Sequence, residues 1–252
     1  MGISKEQRQE KILSLLGESG KLTPDELASA VGVSMATLRR DFKELKERGE
    51  IFVGYGHIQL KNIITKDANM NIPFLKRLSD NNEKKKIIAR KALEFVEEND
   101  LIFIGEGTTC YLFTKLLIKH FSKLKIITNG LYSLNALSKA IDFDVLGIGG
   151  TLLTDFNSFV GPKAEAMVEE LFVEKFFFSC GSYNEGSYDL SAFTGSLKKK
   201  ILKKSKEHYL LIDSTKFDSI APFYMAKPKE IDRIITDDDA IEKEMNAGLK
   251  KQ

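Results

Sequence analysis

From residue 84 onward, short apolar runs alternate with amphipathic stretches, and this alternation restricts the fold more than any other property of the chain. "KKKIIARKALEFVEEND" sets Ile87, Ile88, Ala92 and Phe95 at helical core spacing. After it, "LIFIGEG", "LKIITNG", "FDVLGIGG", "KFFFSCGS", "YLLIDSTKF" and "EIDRIITDDD" read as strands. The helical runs "TTCYLFTKLLIKH", "LYSLNALSK", "PKAEAMVEELF" and "GSLKKKILKKSKEH" fall between them. Alternation of this kind builds a mainly parallel sheet covered on both faces. The wholly apolar "KIIT" and "YLLI" suit strands buried on both sides. The expected fold class is α/β.

The 252 residues leave room for a second, smaller domain in front of that sheet. With 42% hydrophobic and 29% charged residues, the chain has the composition of an ordinary globular protein. Its longest apolar runs fall well short of the roughly 20 residues of a membrane span. The polar start "MGISKEQRQEK" lacks the apolar core of a signal peptide. Cys110 and Cys180 form no disulfide framework, fit a reducing cytoplasm, and read as small buried apolar residues. The net charge of +2 neither demands nor excludes nucleic acid, and within residues 1–60 cations and anions balance one for one. Any affinity for DNA must come from arrangement.

Residues 1–60 provide such an arrangement. "RQEKILSLLGESG" spaces Ile12, Leu15 and Leu16 as a helix closed by Gly20. In "TPDELASAVG", Thr23 is an N-cap, Pro24 takes the first helical position and Glu26 completes a capping box. Gly32 supplies the tight turn. Ser34 then caps a third helix reaching to about Arg48, with Gly49 as its stop. "IFVGYGHIQL" alternates around Gly54 and Gly56 as a short hairpin. On the third helix Leu38, Phe42 and Leu45 share the inward face. Ala36, Arg40 and Lys43 lie opposite, flanked by Thr37 and Arg39. A small residue beside cations allows close approach to a groove, where Arg forks onto guanine edges and Lys, Thr and helix-start amides hold phosphates. A basic helix face alone is also what a solvated surface looks like. Its place as second helix of a helix–turn–helix with a wing makes it a DNA-reading surface.

In "LASAVGVS" followed by "TLRRDFKELKERGEI", the chain resembles the DNA-binding signature of the DeoR family of bacterial transcriptional repressors. Ser34, Thr37, Arg39, Arg40, Asp41, Leu45 and Gly49 match in spacing and kind. The resemblance implies DNA contacts by Ser34, Thr37, Arg39, Arg40 and Lys43. The wing "VGYGHI" departs from the family by lacking its arginine.

Residues 61–83 are polar, without sustained periodicity, and read as a linker with Phe74 and Leu75 as its packing residues. In the α/β domain of residues 84–252, ligands belong beyond the carboxyl ends of the strands. The turn of Gly105, Glu106, Gly107, Thr108 and Thr109 leaves a strand and opens a helix, so its amides and hydroxyls can cradle a phosphate. Taken alone, such a turn is more often an ordinary tight turn than a phosphate site. Asn129 offers a hydrogen-bonding amide at a second strand end, Gly149 and Gly150 close backbone approach at a third, and Asp213 with Lys216 opposite charges at a fourth. Together they outline a site for a polyol phosphate.

This half resembles the DeoR sensor domain over nearly its whole length, through "IGEGTT", "ITNG", "IGG", "SFVGPKA", "IDSTKF" and "IDRIITD". The resemblance implies a fold similar to ribose-5-phosphate isomerase, a phosphorylated sugar or sugar alcohol as effector, and Lys198 and Lys216 as site lysines. The chain departs from the family in carrying Gly105 in place of an aspartate, with Glu106 next. It also shows no acid just before Lys198, where Phe193, Thr194 and Gly195 stand, and its "CGS" strand end at Cys180 lacks the aspartates of the isomerase enzymes.

An isomerase fused to a DNA-binding module is the rival reading, with Glu106 as base and Lys198 as electrophile. Against it, no paired carboxylate is evident beside them, and Asp213 reads as structuring its own turn. His57, His120 and His208 have no partner at metal-ligand spacing, and neither a metal nor a cofactor is expected. A third reading makes the second domain only an oligomerisation scaffold. The expected protein is a cytoplasmic regulator that binds double-stranded operator DNA as a homodimer or homotetramer, represses sugar or polyol genes, and is released by a phosphorylated sugar.

Overall fold

Thr23, Pro24 and Glu26 start a helix in the computed structural model, which describes residues 4–19, 21–48, 50–53, 58–60 and 74–249. The chain divides into two units, residues 1–63 and 64–252. The first contains α1 (Lys5–Ser19), β1 (Lys21–Leu22), α2 (Pro24–Val31), α3 (Met35–Glu47), β2 (Ile51–Val53) and β3 (Ile58–Leu60). Thr23 Oγ1 accepts from Glu26 N at 3.2 Å, and Glu26 Oε2 accepts from Thr23 N at 2.7 Å, so the capping box is complete. Gly32 takes a φ of 78°, the left-handed turn that releases α2 toward α3. β3 pairs antiparallel with both β1 and β2, giving the winged form of the helix–turn–helix. Leu38, Phe42 and Leu45 are buried with Ile12, Leu16, Leu27, Val31, Ile51 and Ile58. Gly20, Gly49, Gly54, Gly56 and His57 lie outside the described residues, as does the linker at 61–73.

The second unit begins differently from its sequence reading. Residues within the expected linker form α4 (Phe74–Ser79), and α5 (Asn82–Ala92) starts before residue 84. Phe74 is buried, whereas Leu75 is exposed. The buried face of α5 is Ile88, Ala89 and Ala92, while Ile87 is 38% exposed and does not belong to the core. The chain continues through β4 (Leu101–Ile104), α6 (Thr108–His120), β5 (Lys125–Thr128), α7 (Leu131–Leu137) and β6 (Asp144–Gly147). Next come a hairpin of β7 (Thr151–Leu153) and β8 (Ser158–Val160), α8 (Pro162–Glu169), β9 (Val173–Phe178), β10 (Ser182–Tyr183) and β11 (Ser187–Asp189). Then follow α9 (Ala192–Lys204), β12 (Ser205–Leu211), β13 (Phe223–Ala226), β14 (Arg233–Ile235) and α10 (Asp239–Leu249).

The main sheet has the order β14-β12-β9-β4-β5-β6, and its strands are parallel throughout. Alternate strand residues face opposite layers, as the two-residue period requires. Phe103, Phe176, Phe178 and Leu210 pack with Val168 of α8 and Leu197 and Ile201 of α9. Ile102, Ile104, Phe177, Tyr209 and Leu211 pack with Ile88 of α5, Phe113 and Leu117 of α6 and Leu137 of α7. Burial on both faces is why these strands carry no polar alternation. β10, β11 and β13 form a separate antiparallel sheet. After β4 the chain adds β5 and β6 to one side, then returns to place β9, β12 and β14 on the other. The crevice at the carboxyl ends of β4 and β9 is therefore the topological switch point, where such sheets bind ligands.

Candidate functional site

The candidate residues fall on two surfaces, one in each unit. On α3, the Ser34 hydroxyl accepts from Thr37 N at 3.3 Å and lies 3.0 Å from the Thr37 hydroxyl, fixing the helix start. Arg39, Arg40 and Lys43 are exposed, and among the described residues none has an ion-pair partner. Asp41 faces the other way. It is buried and held by Arg8, whose Nε donates at 2.6 Å and Nη2 at 2.9 Å. Hydrogen bonding to Asp41 raises the Arg8 guanidinium above its ordinary value. Gln9 donates to both Asp41 and Glu44, and its oxygen accepts from Arg48 Nη2 at 2.7 Å. These bonds clamp α1 to α3, so the remaining cations project from a rigid helix. Local spacing does not reveal Arg8 or Gln9, because their partner lies more than thirty residues on in the chain.

In the second unit, Lys198 of α9 reaches the switch point. Its Nζ lies 2.7 Å from Glu106 Oε1 and donates to Asp189 Oδ2 and Ser179 O, both at 2.8 Å. An ammonium has three N–H donors, and all three are used. Burial alone would depress this lysine, but Asp189 and Glu106 more than offset it and hold the ammonium above the ordinary lysine range. The second Glu106 oxygen accepts from Asn129 Nδ2 at 3.2 Å, and Asn129 Nδ2 also faces Phe159 O at 3.3 Å. That fixes the amide orientation and leaves Asn129 Oδ1 buried without a hydrogen-bond partner. Asp213 Oδ1 accepts from the Thr215 hydroxyl, while its Oδ2 is also buried and lacks a hydrogen-bonding partner. Lys216 lies 3.8 Å from that oxygen and donates to Cys180 O at 2.9 Å. Consecutive carbonyls of the β9 end thus hold both lysines.

Glu106, Asn129 and Lys198 are therefore brought together, with Asp213 and Lys216 at the adjoining strand end. Gly107 takes a φ of 113° and caps α6, which no side chain caps, and Thr108 and Thr109 fill its first turn. Gly105 is the last rung of the ladder. Its amide donates to Phe177 O at 2.9 Å and is not free for a ligand. Gly149 and Gly150 are packing glycines. The Gly149 amide faces Met167 Sδ at 3.4 Å, and a Cβ on Gly150 would meet Val160 O at 2.7 Å. Neither makes a contact with the Lys198 cluster.

One expectation is corrected. A second carboxylate does stand beside Glu106 and Lys198. It is Asp189 at the end of β11, nine positions before the lysine rather than within its helix. Gly195 packs beside Asp189, and a Cβ there would lie 3.5 Å from the Asp189 Cβ, an ordinary contact. Cys110 and Cys180 are buried free thiols, pushed up to about 12 by burial. Among the described residues no His, Cys, Asp or Glu group could hold a metal ion, and no helix is long and apolar enough to cross a membrane.

A winged helix–turn–helix with unpaired cations, joined to an α/β unit with a buried polar site at its switch point, defines the class of two-part transcriptional regulators. Residues 8–62 match the DeoR-like helix-turn-helix domain and residues 80–238 the DeoR C terminal sensor domain. The chain belongs to the DeoR family of DNA-binding transcriptional regulators. It is 30% identical to the L-fucose operon activator of Escherichia coli, over 93% of this chain and 96% of that protein. It is 32% identical to the lactose phosphotransferase system repressor of Staphylococcus aureus, over 85% of this chain and 84% of that one. Among solved structures, ribose 5-phosphate isomerase A of Methanocaldococcus jannaschii aligns over 54% of this chain and 55% of that one, with 15% identity and a TM-score of 0.41.

Proposed function

We propose that the protein represses sugar or polyol genes by binding a two-fold operator, and that a phosphorylated sugar or sugar alcohol in the second unit releases it. The reading rests chiefly on Asn129 Oδ1 and Asp213 Oδ2, buried acceptors at two strand ends that receive no hydrogen bond, and on the start of α6, which no side chain caps. A buried acceptor without a donor costs about 1–3 kcal/mol, so each marks where a ligand hydroxyl belongs. The α6 amides and the Thr108 and Thr109 hydroxyls suit the phosphate. The wild-type sugar operon regulators named above act with both signs, and repression is the sign proposed here. One recognition helix covers only a few base pairs, so a homodimer or homotetramer is required for tight, selective binding. Such a regulator works in the cytoplasm, where the chromosome is.

Catalysis is the weaker reading even with Asp189 added. The Lys198 donors are already committed to Glu106, Asp189 and Ser179, so none remains to stabilise an enediolate. Fluorescence anisotropy on DNA from upstream of the protein's own gene, against scrambled DNA and with a panel of sugar phosphates, tests the proposal. Selective binding released by one phosphate is expected. Binding without selectivity overturns the regulator reading, and selective binding that no phosphate alters overturns the sensor. Thr108→Val is expected to blunt release while sparing DNA binding.

A further inference from the structure

Arg77 is a half-buried cation without an anion among the described residues. Its Nη2 donates to Asp155 O at 2.7 Å, its Nε is buried without a partner, and no carboxylate of the described residues lies within ion-pair distance. The guanidinium lies over the Phe156 ring at 5.3 Å and the Phe74 ring at 5.9 Å. Burial pushes it below the ordinary arginine value, against the attraction of Glu106, Asp155 and Asp189. A guanidinium has five N–H donors in a planar fork, and a partly desolvated cation without a counter-ion is costly.

The helix that carries it spans the site. Phe74 stacks on Tyr132 at 4.0 Å and meets Tyr111 edge-on at 5.7 Å. These tyrosines lie in the first turns of α7 and α6, directly after the Asn129 and Gly107–Thr108 strand ends. Asp155 and Phe156 belong to the turn between β7 and β8, and β8 is tied to Asn129 by Phe159 N donating to Asn129 O at 2.8 Å. At the other end of α4, Lys85 Nζ donates to Arg77 O and Asp80 O. α4 therefore lies across the carboxyl ends of β4 and β5. Among the described residues, the lysines at these strand ends have partners: Lys198 its two carboxylates, Lys216 Cys180 O, and Lys84 Ser214 and Asp237.

We infer that Arg77 is the anion-binding residue of the sensor site, its fork closing the phosphate of a phosphate monoester against the first turn of α6. This rests on the reading of that site as a phosphate sensor. A planar fork matches two phosphate oxygens as a lysine ammonium cannot. Arg77 also stands just after the segment that joins the two units in sequence, so the residue that grips the anion belongs to the part of the sensor nearest the DNA-binding unit along the chain.

The test is isothermal titration of the full-length protein with inorganic phosphate, for the wild type, Arg77→Met, Arg77→Lys and Thr108→Val. Methionine keeps an apolar stem over Phe156, and lysine keeps the charge without the fork. Saturable binding by the wild type is expected, weakened at least about tenfold by Arg77→Met and severalfold by Arg77→Lys. Phosphate binding that Thr108→Val abolishes but Arg77→Met leaves unchanged overturns the role of Arg77 and spares the cradle. Binding that neither substitution weakens, or no saturable wild-type binding, overturns both. If Arg77→Met does not fold, wild-type affinity in a folded Arg77→Lys overturns the fork.

Discussion

Lys198 sits between Glu106 and Asp189 with Ser179 O completing its shell, so removing it leaves two buried carboxylates facing one another. Breaking a buried pair from one side costs about 3–5 kcal/mol, more than the pair itself contributes. Lys198→Met is therefore expected to lower the urea unfolding free energy by that amount. Adding Glu106→Gln and Asp189→Asn should restore part of it, since the repulsion goes with the charges. A triple variant no more stable than Lys198→Met would show that the carboxylates are not the source of the loss. Half of this cluster was legible in the sequence: Glu106 and Asn129 follow apolar strands, and strand ends are where polar residues converge. Asp189 was not, because β11 pairs with β10 and β13 and folds back onto α9. Helical spacing cannot register such a return. Arg8 escaped for the same reason, its carboxylate partner lying on a different helix.

α4 and α5 meet at a lysine that is buried against expectation. Lys85 is 5% exposed and holds the Arg77 and Asp80 carbonyls at the end of α4. Burial pushes it down to about 8, with Lys216 adding to the effect and Asp213 opposing it. The folded form thus sheds its proton near pH 8, while the unfolded chain keeps it to about 10.4. Between those values the unfolded state binds more protons, so stability rises with pH through this window. Urea titrations at pH 7.5 and 9.5 should show the wild type gaining on the order of 1–2 kcal/mol relative to Lys85→Met. A difference that stays flat or shrinks would mean the buried ammonium is not strained. Sequence reading left this region as a linker for a physical reason. A six-residue helix makes under two turns, too short for apolar periodicity, and a lysine in a polar run signals solvent rather than a cap. The long strands and α6 were legible because both faces of the sheet are buried and demand unbroken apolar runs. β13, with Phe223 and Tyr224 exposed, makes no such demand.

Across the whole molecule, a net charge of +2 cannot hold DNA by its overall field, so the proposed affinity is assigned to the exposed α3 cations, which have no ion-pair partner among the described residues. With α3 in the groove as proposed, Arg40 would meet base edges and Lys43 phosphates, and the two would act on different observables. Arg40→Ala is expected to cost roughly 1–3 kcal/mol of selective affinity while scrambled DNA is bound nearly as before. Lys43→Ala should weaken both DNAs alike and reduce the steepness with which binding falls as salt rises. Each phosphate contact contributes about 0.9 to that logarithmic slope. If two chains occupy one operator, the substitution removes two contacts, and the slope should flatten by about 1.8. Anisotropy titrations between about 50 and 200 mM salt read this directly. A change near 0.9 would mean that only one chain contacts the operator through this residue, which contradicts a two-fold arrangement. No change at all would return Lys43 to an ordinary solvated helix face and leave the groove to Arg39 and Arg40.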